Sequence, residues 1–294
     1  MRQSGGPHIQ SFAKLNLYLQ VLNKRKDNYH DLSTLFARIS LADTLTFKER
    51  QDGLIKIKCA SPDVPDNETN LCYRAAALLK QEYKLCRGIE IGLKKLIPVG
   101  AGLGGGSSNA ASVLMGLNKF WNLNLPATRL EKLGARLGSD VPFFIHNAKF
   151  ALGRGRGDKI KKLGSLDKLK LWFVLVYPNF KVSTPLIYQK FDSFSGLTMP
   201  RGDVKMLISE LSKKGKAAGA GCFFNSLEAV TVSLYPAVNQ VKKALFGMGL
   251  DKVMMSGSGP AVFGLCDSGR QARELKNQLL KKHKFWQAFA VSTV

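Results

Sequence analysis

Residues 12–22 alternate in character. Leu15, Leu17, Leu19 and Val21 fall on one side, and Lys14, Asn16, Tyr18 and Gln20 on the other. A period of two is that of a strand with one apolar face. The segment is therefore predicted as a strand whose polar face carries Lys14 and Asn16 together. Residues 24–28 are charged and turn-like, and Asn28 tolerates the left-handed conformation of a tight turn. Further strand patterns fall at 43–48 and 54–59, and the proline-containing, acidic residues 61–69 read as a loop. Asn70 is placed to cap a helix through Leu71, Ala75, Leu78 and Leu79. Residues 89–97 read as a strand ending at Pro98, before a glycine-rich run, and Ser107 is predicted to open an alanine-rich helix. Thr128 and Glu131 have the spacing of a capping box for the next helix, which Gly138 ends.

The run from Gly153 to Asp158 reads as flexible and charged. It is taken as the end of a first domain, residues 1–159, leaving 160–294 as a second. That half shows a strand at 171–177, a loop to Pro185, and helices at 204–213, 236–246 and 270–282. Strands are expected on either side of Gly257 to Pro260 and at the end of the chain. Strands and helices mix without regular βαβ alternation, which predicts an α+β fold.

Composition narrows the class. The 294 residues are 45% hydrophobic and 22% charged, which excludes a disordered chain and allows one large domain or two ordinary ones. The 44 Lys+Arg against 21 Asp+Glu give +23, spread as +11 over residues 1–160 and +12 over 161–294. No basic arm stands apart as a nucleic-acid handle, although the field attracts phosphates generally. Five cysteines with no C-x-x-C pair argue against a disulfide framework or zinc ribbon. The first seven residues hold no apolar signal core, and the longest apolar stretch, 171–177, is too short to span a bilayer. A cytoplasmic protein with no membrane partner is expected; oligomeric state, monomer or homodimer, is left open.

The strongest feature is Pro98-Val99-Gly100-Ala101-Gly102-Leu103-Gly104-Gly105-Gly106-Ser107-Ser108. Five glycines in seven positions let backbone N–H groups converge on an anion, and the helix behind adds its dipole. Ser107 and Ser108 offer hydroxyls to phosphate or Mg²⁺. Gly100, Gly102 and Gly105 satisfy G-x-G-x-x-G, but Leu123 and Leu125 stand where a dinucleotide fold wants an acid. A Walker A loop needs Lys after its last glycine, and here Ser107 follows Gly106. The protein-kinase signatures H-R-D and D-F-G are absent. The run is a phosphate loop whose lysine and acid come from elsewhere.

Three separated segments, residues 13–17, 98–108 and 255–263, together resemble the GHMP small-molecule kinases. Asn28-Tyr29-His30-Asp31-Leu32 and Gly138-Ser139-Asp140-Val141-Pro142-Phe143 narrow the resemblance to the branch acting on a cytidine diphosphate conjugate of methylerythritol. It spans nearly the whole chain in the right order. It implies a two-domain architecture, an S5-domain-2-like N-terminal domain and a smaller α+β C-terminal one, with the active site in the cleft between them. It also implies ATP-dependent phosphorylation of the 2-hydroxyl of the methylerythritol part, in non-mevalonate isoprenoid biosynthesis. By position, Lys14 and Asp140 match the catalytic pair, Tyr29 and His30 the residues holding the cytosine, and Tyr188 an aromatic stacked on it. Asn16, Thr184, Gly257, Ser258 and Gly259 match substrate contacts. Asn28, Ser139 and Pro260 depart from the usual glycine, alanine and small residue, and all three suit turns.

Under this resemblance Asp140 accepts the hydroxyl proton and Lys14 stabilises the reacting oxygen. Taken alone, Asp140 reads as a helix or turn cap, Lys14 as a solvated strand lysine, and His30 as a surface residue. Mg²⁺ is expected with ATP, and no ligand for it is singled out. Another GHMP kinase, of homoserine or mevalonate type, shares the glycine run but not the Tyr29-His30 pair. An RNA-binding protein on an S5-like scaffold would answer the charge, but needs basic and aromatic residues interleaved on one face.

Overall fold

The computed structural model describes residues 8–196 and 200–294; the N-terminal stretch read for a signal core lies outside them. In chain order the elements are β1 (Ile9–Lys24), β2 (His30–Arg50), β3 (Ile55–Cys59), α1 (Leu71–Glu82), β4 (Gly88–Lys94), α2 (Gly105–Phe120), α3 (Ala127–Leu137), α4 (Val141–His146), β5 (Phe150–Arg154) and β6 (Lys159–Lys162). They continue with β7 (Trp172–Tyr177), α5 (Thr184–Phe191), α6 (Val204–Lys214), β8 (Phe224–Asn225), α7 (Glu228–Leu234), α8 (Pro236–Gly247), β9 (Val253–Met255), β10 (Val262–Cys266), α9 (Gly269–Lys282) and β11 (Gln287–Ser292). The mixture is α+β, as the patterns predict.

Two compact units emerge, each built from several segments. Of the described residues, the first unit holds those up to Ala13 with Leu41–Val99 and Gly104–Asn147; the second holds those of Lys14–Ser40, Gly100–Leu103 and Ala148–Val294. β1, β2 and the glycine run each contribute to both.

In the first unit, β4 lies between β3, parallel to it, and the C-terminal part of β2, antiparallel to it. Phe47, Ile57, Ile89 and Ile91 are buried with Ala75, Ala76 and Leu79 of α1 and Ala110, Val113 and Leu114 of α2. Asn70 caps α1 as predicted, its Oδ1 accepting from Cys72 N at 2.8 Å. Two predicted helix starts shift. α2 begins at Gly105, because Gly104 takes a left-handed φ of 69° and its carbonyl already accepts from Ser108 N at 2.9 Å. α3 begins at Ala127 after Pro126, and no side chain caps it, so Thr128 lies inside the helix.

In the second unit, a four-stranded sheet runs β11-β7-β10-β9, all neighbours antiparallel. Val174, Val176 and Val262 share a core with Val238 and Val241 of α8 and Ala272, Leu275 and Leu279 of α9. The N-terminal part of β2 pairs with β5, and β5 with β6. The run expected to be flexible is therefore a hairpin turn, with Gly155 and Gly157 at positive φ and Arg156 paired to Asp158 at 3.0 Å. Two helices of this unit were not anticipated. α5 follows Ser183, whose Oγ accepts from Leu186 N, and Pro185 sits in its first turn, where proline is tolerated. α7 is seven residues long, short enough for its period to be missed. The five cysteines carry no disulfide, and burial pushes the Cys72 thiol up to about 12. No helix among the described residues is long and apolar enough to cross a membrane.

Candidate active site

The polar face of β1 is not solvated. Lys14 is 4% exposed and Asn16 1%, so the face read as polar is buried as well, and Lys14 is not the solvated strand lysine that it reads as when taken alone. Lys14 Nζ donates to Asn16 Oδ1 at 2.5 Å and lies 5.6 Å from the centre of the Phe36 ring. Asn16 Nδ2 donates to Thr34 Oγ1 at 2.8 Å, and Asn16 N to Ser256 Oγ at 3.3 Å. A charged group kept this far from water needs fixed polar neighbours. Asn16 is one, and its own orientation is fixed by Thr34.

The turn between β9 and β10 covers this pair. Gly257 has φ +58°, and a Cβ there would stand 3.1 Å from Gly102 O and 3.4 Å from both Lys14 Nζ and Asn16 Oδ1. Asn225 on β8 ties the turn down: its Nδ2 donates to the carbonyls of Met255 and Gly257, both at 2.8 Å, and its Oδ1 accepts from Leu227 N at 3.0 Å. The first part of the glycine run interlocks with the same turn. Ser256 Oγ donates to Gly102 O at 3.1 Å and Ala261 N to Ala101 O at 3.2 Å. Gly257→Ala is expected to lower kcat at least about tenfold, with about 1–2 kcal/mol of left-handed strain, and the crowding of Gly102 O, taken from stability. Steady-state rates beside a denaturation curve separate the two effects. An unchanged kcat would detach this turn from Lys14.

Helix α5 links the predicted substrate residues. Thr184 Oγ1 and Ser258 Oγ share a hydrogen bond at 2.7 Å. Four residues on, one turn along the same face, Tyr188 stacks on His30 with centroids 5.4 Å apart and planes at 27°. His30 is 6% exposed, and its Nε2 lies 2.6 Å from Asp192 Oδ1. Lys24, and after it His30, hold the Asp192 carboxyl below the usual carboxylate range. Tyr29 is 52% exposed, with the Arg156 guanidinium 4.8 Å from its ring centre. Asn28 has φ 62°, the left-handed turn expected of it.

The first unit carries the rest of the glycine run and Asp140. The N–H groups of Gly105, Gly106 and Ser107 open helix α2, and none has a partner among the described residues. Such a helix start favours phosphate. Asp140 stands at the N-cap of α4, but its side chain accepts no capping hydrogen bond from that helix. The turn bearing it lies beside the run: a Cβ on Gly138 would be 3.7 Å from Ser107 Oγ.

A buried acid braces the run. Asp43 is fully buried. Its Oδ1 accepts from Leu96 N at 2.7 Å and Ile97 N at 2.8 Å, and its Oδ2 from Lys95 Nζ at 2.5 Å and Asn109 Nδ2 at 2.9 Å. Asn109 Nδ2 also reaches Ser11 Oγ at 2.9 Å, and Ser11 shares a hydrogen bond with Ser108 at 2.7 Å. Asp43 thus fixes the backbone just before Pro98 and the first turn of α2 just after the glycines. Burial lowers the Lys95 pKa, and Asp43 opposes that shift. Asp43→Ala leaves a buried cation unpaired, and the expected loss is about 3–5 kcal/mol, read from urea unfolding. A loss below ~1 kcal/mol would contradict this bracing.

Sequence reasoning missed Asp43, Asn109, Ser11, Asn225, Ser256 and Asp192. Asp43 had a signal: an acid among Leu41, Ala42 and Leu45 in a strand pattern. Asn225 had none, since a two-residue strand has no period.

Comparison with known proteins adds the rest. The family model described as GHMP kinases N terminal domain matches residues 70–148, and GHMP kinases C terminal matches 206–284. These matches and the α+β fold define a small-molecule kinase of the GHMP class. A Moorella thermoacetica protein named 4-diphosphocytidyl-2-C-methyl-D-erythritol kinase is 43% identical over 92% of this chain and 94% of its own length. A protein of that name from Syntrophus aciditrophicus is 42% identical over 97% and 99%. A crystal structure of 4-(cytidine 5'-diphospho)-2C-methyl-D-erythritol kinase superposes with a TM-score of 0.80 at 34% identity, covering 97% of this chain and 98% of that one. The chain belongs to the GHMP kinases and, within them, to the 4-diphosphocytidyl-2-C-methyl-D-erythritol kinase family.

Proposed function

We propose that this chain transfers the γ-phosphoryl group of ATP to the 2-hydroxyl of 4-diphosphocytidyl-2-C-methyl-D-erythritol, giving the 2-phosphate and ADP, in non-mevalonate isoprenoid precursor biosynthesis. The observation that carries this is the 43% identity, over 92% of the chain, to a relative bearing that name.

Phosphoryl transfer asks a protein for positioning and charge stabilisation. Asp140 accepts the proton of the attacking hydroxyl as the new O–P bond forms and the bond to the ADP oxygen breaks. Lys14, oriented by Asn16, stabilises the negative charge on the reacting oxygens. The N–H groups of Gly105, Gly106 and Ser107 bind phosphate, on a run whose two sides Asp43 holds. Tyr29, His30 and Tyr188 hold the cytosine, and Thr184 with Gly257, Ser258 and Gly259 holds the substrate's phosphate-bearing part.

Mg²⁺ accompanies ATP and neutralises phosphate charge. Among the described residues no three His, Cys, Asp or Glu side chains gather as a metal cage. That suits an ion held chiefly by phosphate and water. The Ser107 hydroxyl, without a hydrogen-bond partner among the described residues, is the oxygen this chain would add.

The test is ADP release from ATP and Mg²⁺ with four alcohols: the cytidine conjugate, methylerythritol phosphate, homoserine and mevalonate. The cytidine conjugate is expected to exceed the others in kcat/KM by roughly 10³-fold or more. Turnover of another alcohol instead would keep the kinase class and discard the cytidine assignment.

A further inference from the structure

His30 is held on one side only. Nε2 faces Asp192 Oδ1 at 2.6 Å, Tyr188 stacks on the ring, and Phe191 meets it edge-on with centroids 6.2 Å apart. Nδ1 has no hydrogen-bond partner among the described residues, and it is not sealed from solvent. The nearly buried imidazole therefore offers one nitrogen to an incoming group.

Asp192 decides what that nitrogen is. Its second oxygen, Oδ2, takes Lys24 Nζ at 2.6 Å. Two donors on one carboxylate keep it ionised, and an ionised carboxylate only accepts hydrogen bonds. Nε2 must then carry the imidazole proton. In the neutral ring that is the single proton, and Nδ1 is an acceptor; a ring protonated on both nitrogens has no acceptor to offer. A carboxylate on one ring nitrogen setting the role of the other is the arrangement found around metal-bound histidines. The complement of an acceptor beside a stacking aromatic is a flat ring with an exocyclic amino group. Cytosine carries an amino group at C4, where uracil carries an oxygen that accepts.

We infer that Asp192 is a positioning residue that fixes His30 in its Nε2–H form, so that Nδ1 selects a 4-amino pyrimidine over a 4-oxo one. The base assignment rests on the cytidine reading above; the tautomer assignment rests on the Asp192–His30 geometry alone.

Two measurements test it. The first is kcat/KM for the cytidine conjugate and its uridine counterpart, in the wild type and in Asp192→Ala. The wild type is expected to prefer cytidine by about 10²-fold or more. Asp192→Ala is expected to cut that preference at least about tenfold, through KM for the conjugate, with KM for ATP unchanged. Equal losses on both conjugates, with the preference intact, would mean a merely structural role and overturn the proposal. The second is ¹⁵N NMR of histidine-labelled wild-type protein, which does not depend on the variant folding. A protonated Nε2 and bare Nδ1 at His30 are expected; a bare Nε2, or protons on both nitrogens, overturns the proposal. If the wild type turns over neither conjugate, the substrate reading fails and takes the base selection with it. The NMR result then still decides whether Asp192 sets the tautomer.

Discussion

Asp140→Asn is expected to remove turnover and leave ATP binding nearly intact. The substitution keeps the shape of the side chain and removes the proton acceptor. General-base catalysis contributes about 10²–10⁴-fold, so kcat should fall by that factor. On the proposed reading phosphate binds the N–H groups at the start of α2, which Asp140 does not supply, so ATP affinity by calorimetry is expected to change less than about threefold. The Asp140 side chain accepts no capping hydrogen bond from α4, so the substitution removes no cap, and the loss of its charge at the helix start costs at most about 1 kcal/mol. A variant that keeps its thermal midpoint but loses ATP affinity would show that Asp140 serves nucleotide binding. A variant with near-normal kcat would show that the proton leaves by another route.

The second large effect is on folding. Gly102 has φ +76°, and a Cβ there would lie 2.1 Å from the carbonyl oxygen of Ser256 and 3.0 Å from Gly259 N. The obstacle is backbone on a neighbouring turn, so no side-chain rotation relieves it. The left-handed conformation alone costs an ordinary residue about 1–2 kcal/mol. Separating the turns also breaks the Ser256–Gly102 hydrogen bond and disturbs the Asn16–Ser256 contact behind it. Gly102→Ala is expected to lose more than about 4 kcal/mol, a large share of the ~5–15 kcal/mol that holds a domain folded. Urea unfolding of the soluble fraction measures it. A midpoint within error of the wild type would show that the two turns do not interlock.

The parts of the site written as local pattern were legible. The alternation at 12–22 places Lys14 and Asn16 on one face, and five glycines before an alanine-rich helix mark the turn that opens α2. Asn70 announces a helix start, and the structure agrees. What sequence order hides is closure between distant segments. Nothing near Lys14 says that its polar face is covered, because the cover is Gly257, more than two hundred residues away. Asp192 follows α5 and Asn225 sits in a two-residue strand, so neither belongs to a period that singles it out. Asp43 shows a third case. Its neighbours mark the strand, but whether a buried acid is braced by a lysine, an asparagine and two backbone N–H groups depends on where β4 ends. Helix starts were misplaced where backbone geometry, a left-handed Gly104 and an uncapped Pro126, outweighs side-chain capping.

The most direct test of the central claim is where the phosphate lands. The 2-carbon of the methylerythritol unit bears a methyl group and no hydrogen, whereas its other hydroxyl-bearing carbons do carry hydrogen. Proton-coupled ³¹P NMR of the product from ATP and the cytidine conjugate reads that difference. Transfer to the 2-hydroxyl predicts one new phosphomonoester signal with no splitting from a carbinol proton. A doublet or triplet would place the phosphate on a secondary or primary hydroxyl. Either pattern, or no new monoester, would contradict the reaction assigned to this chain.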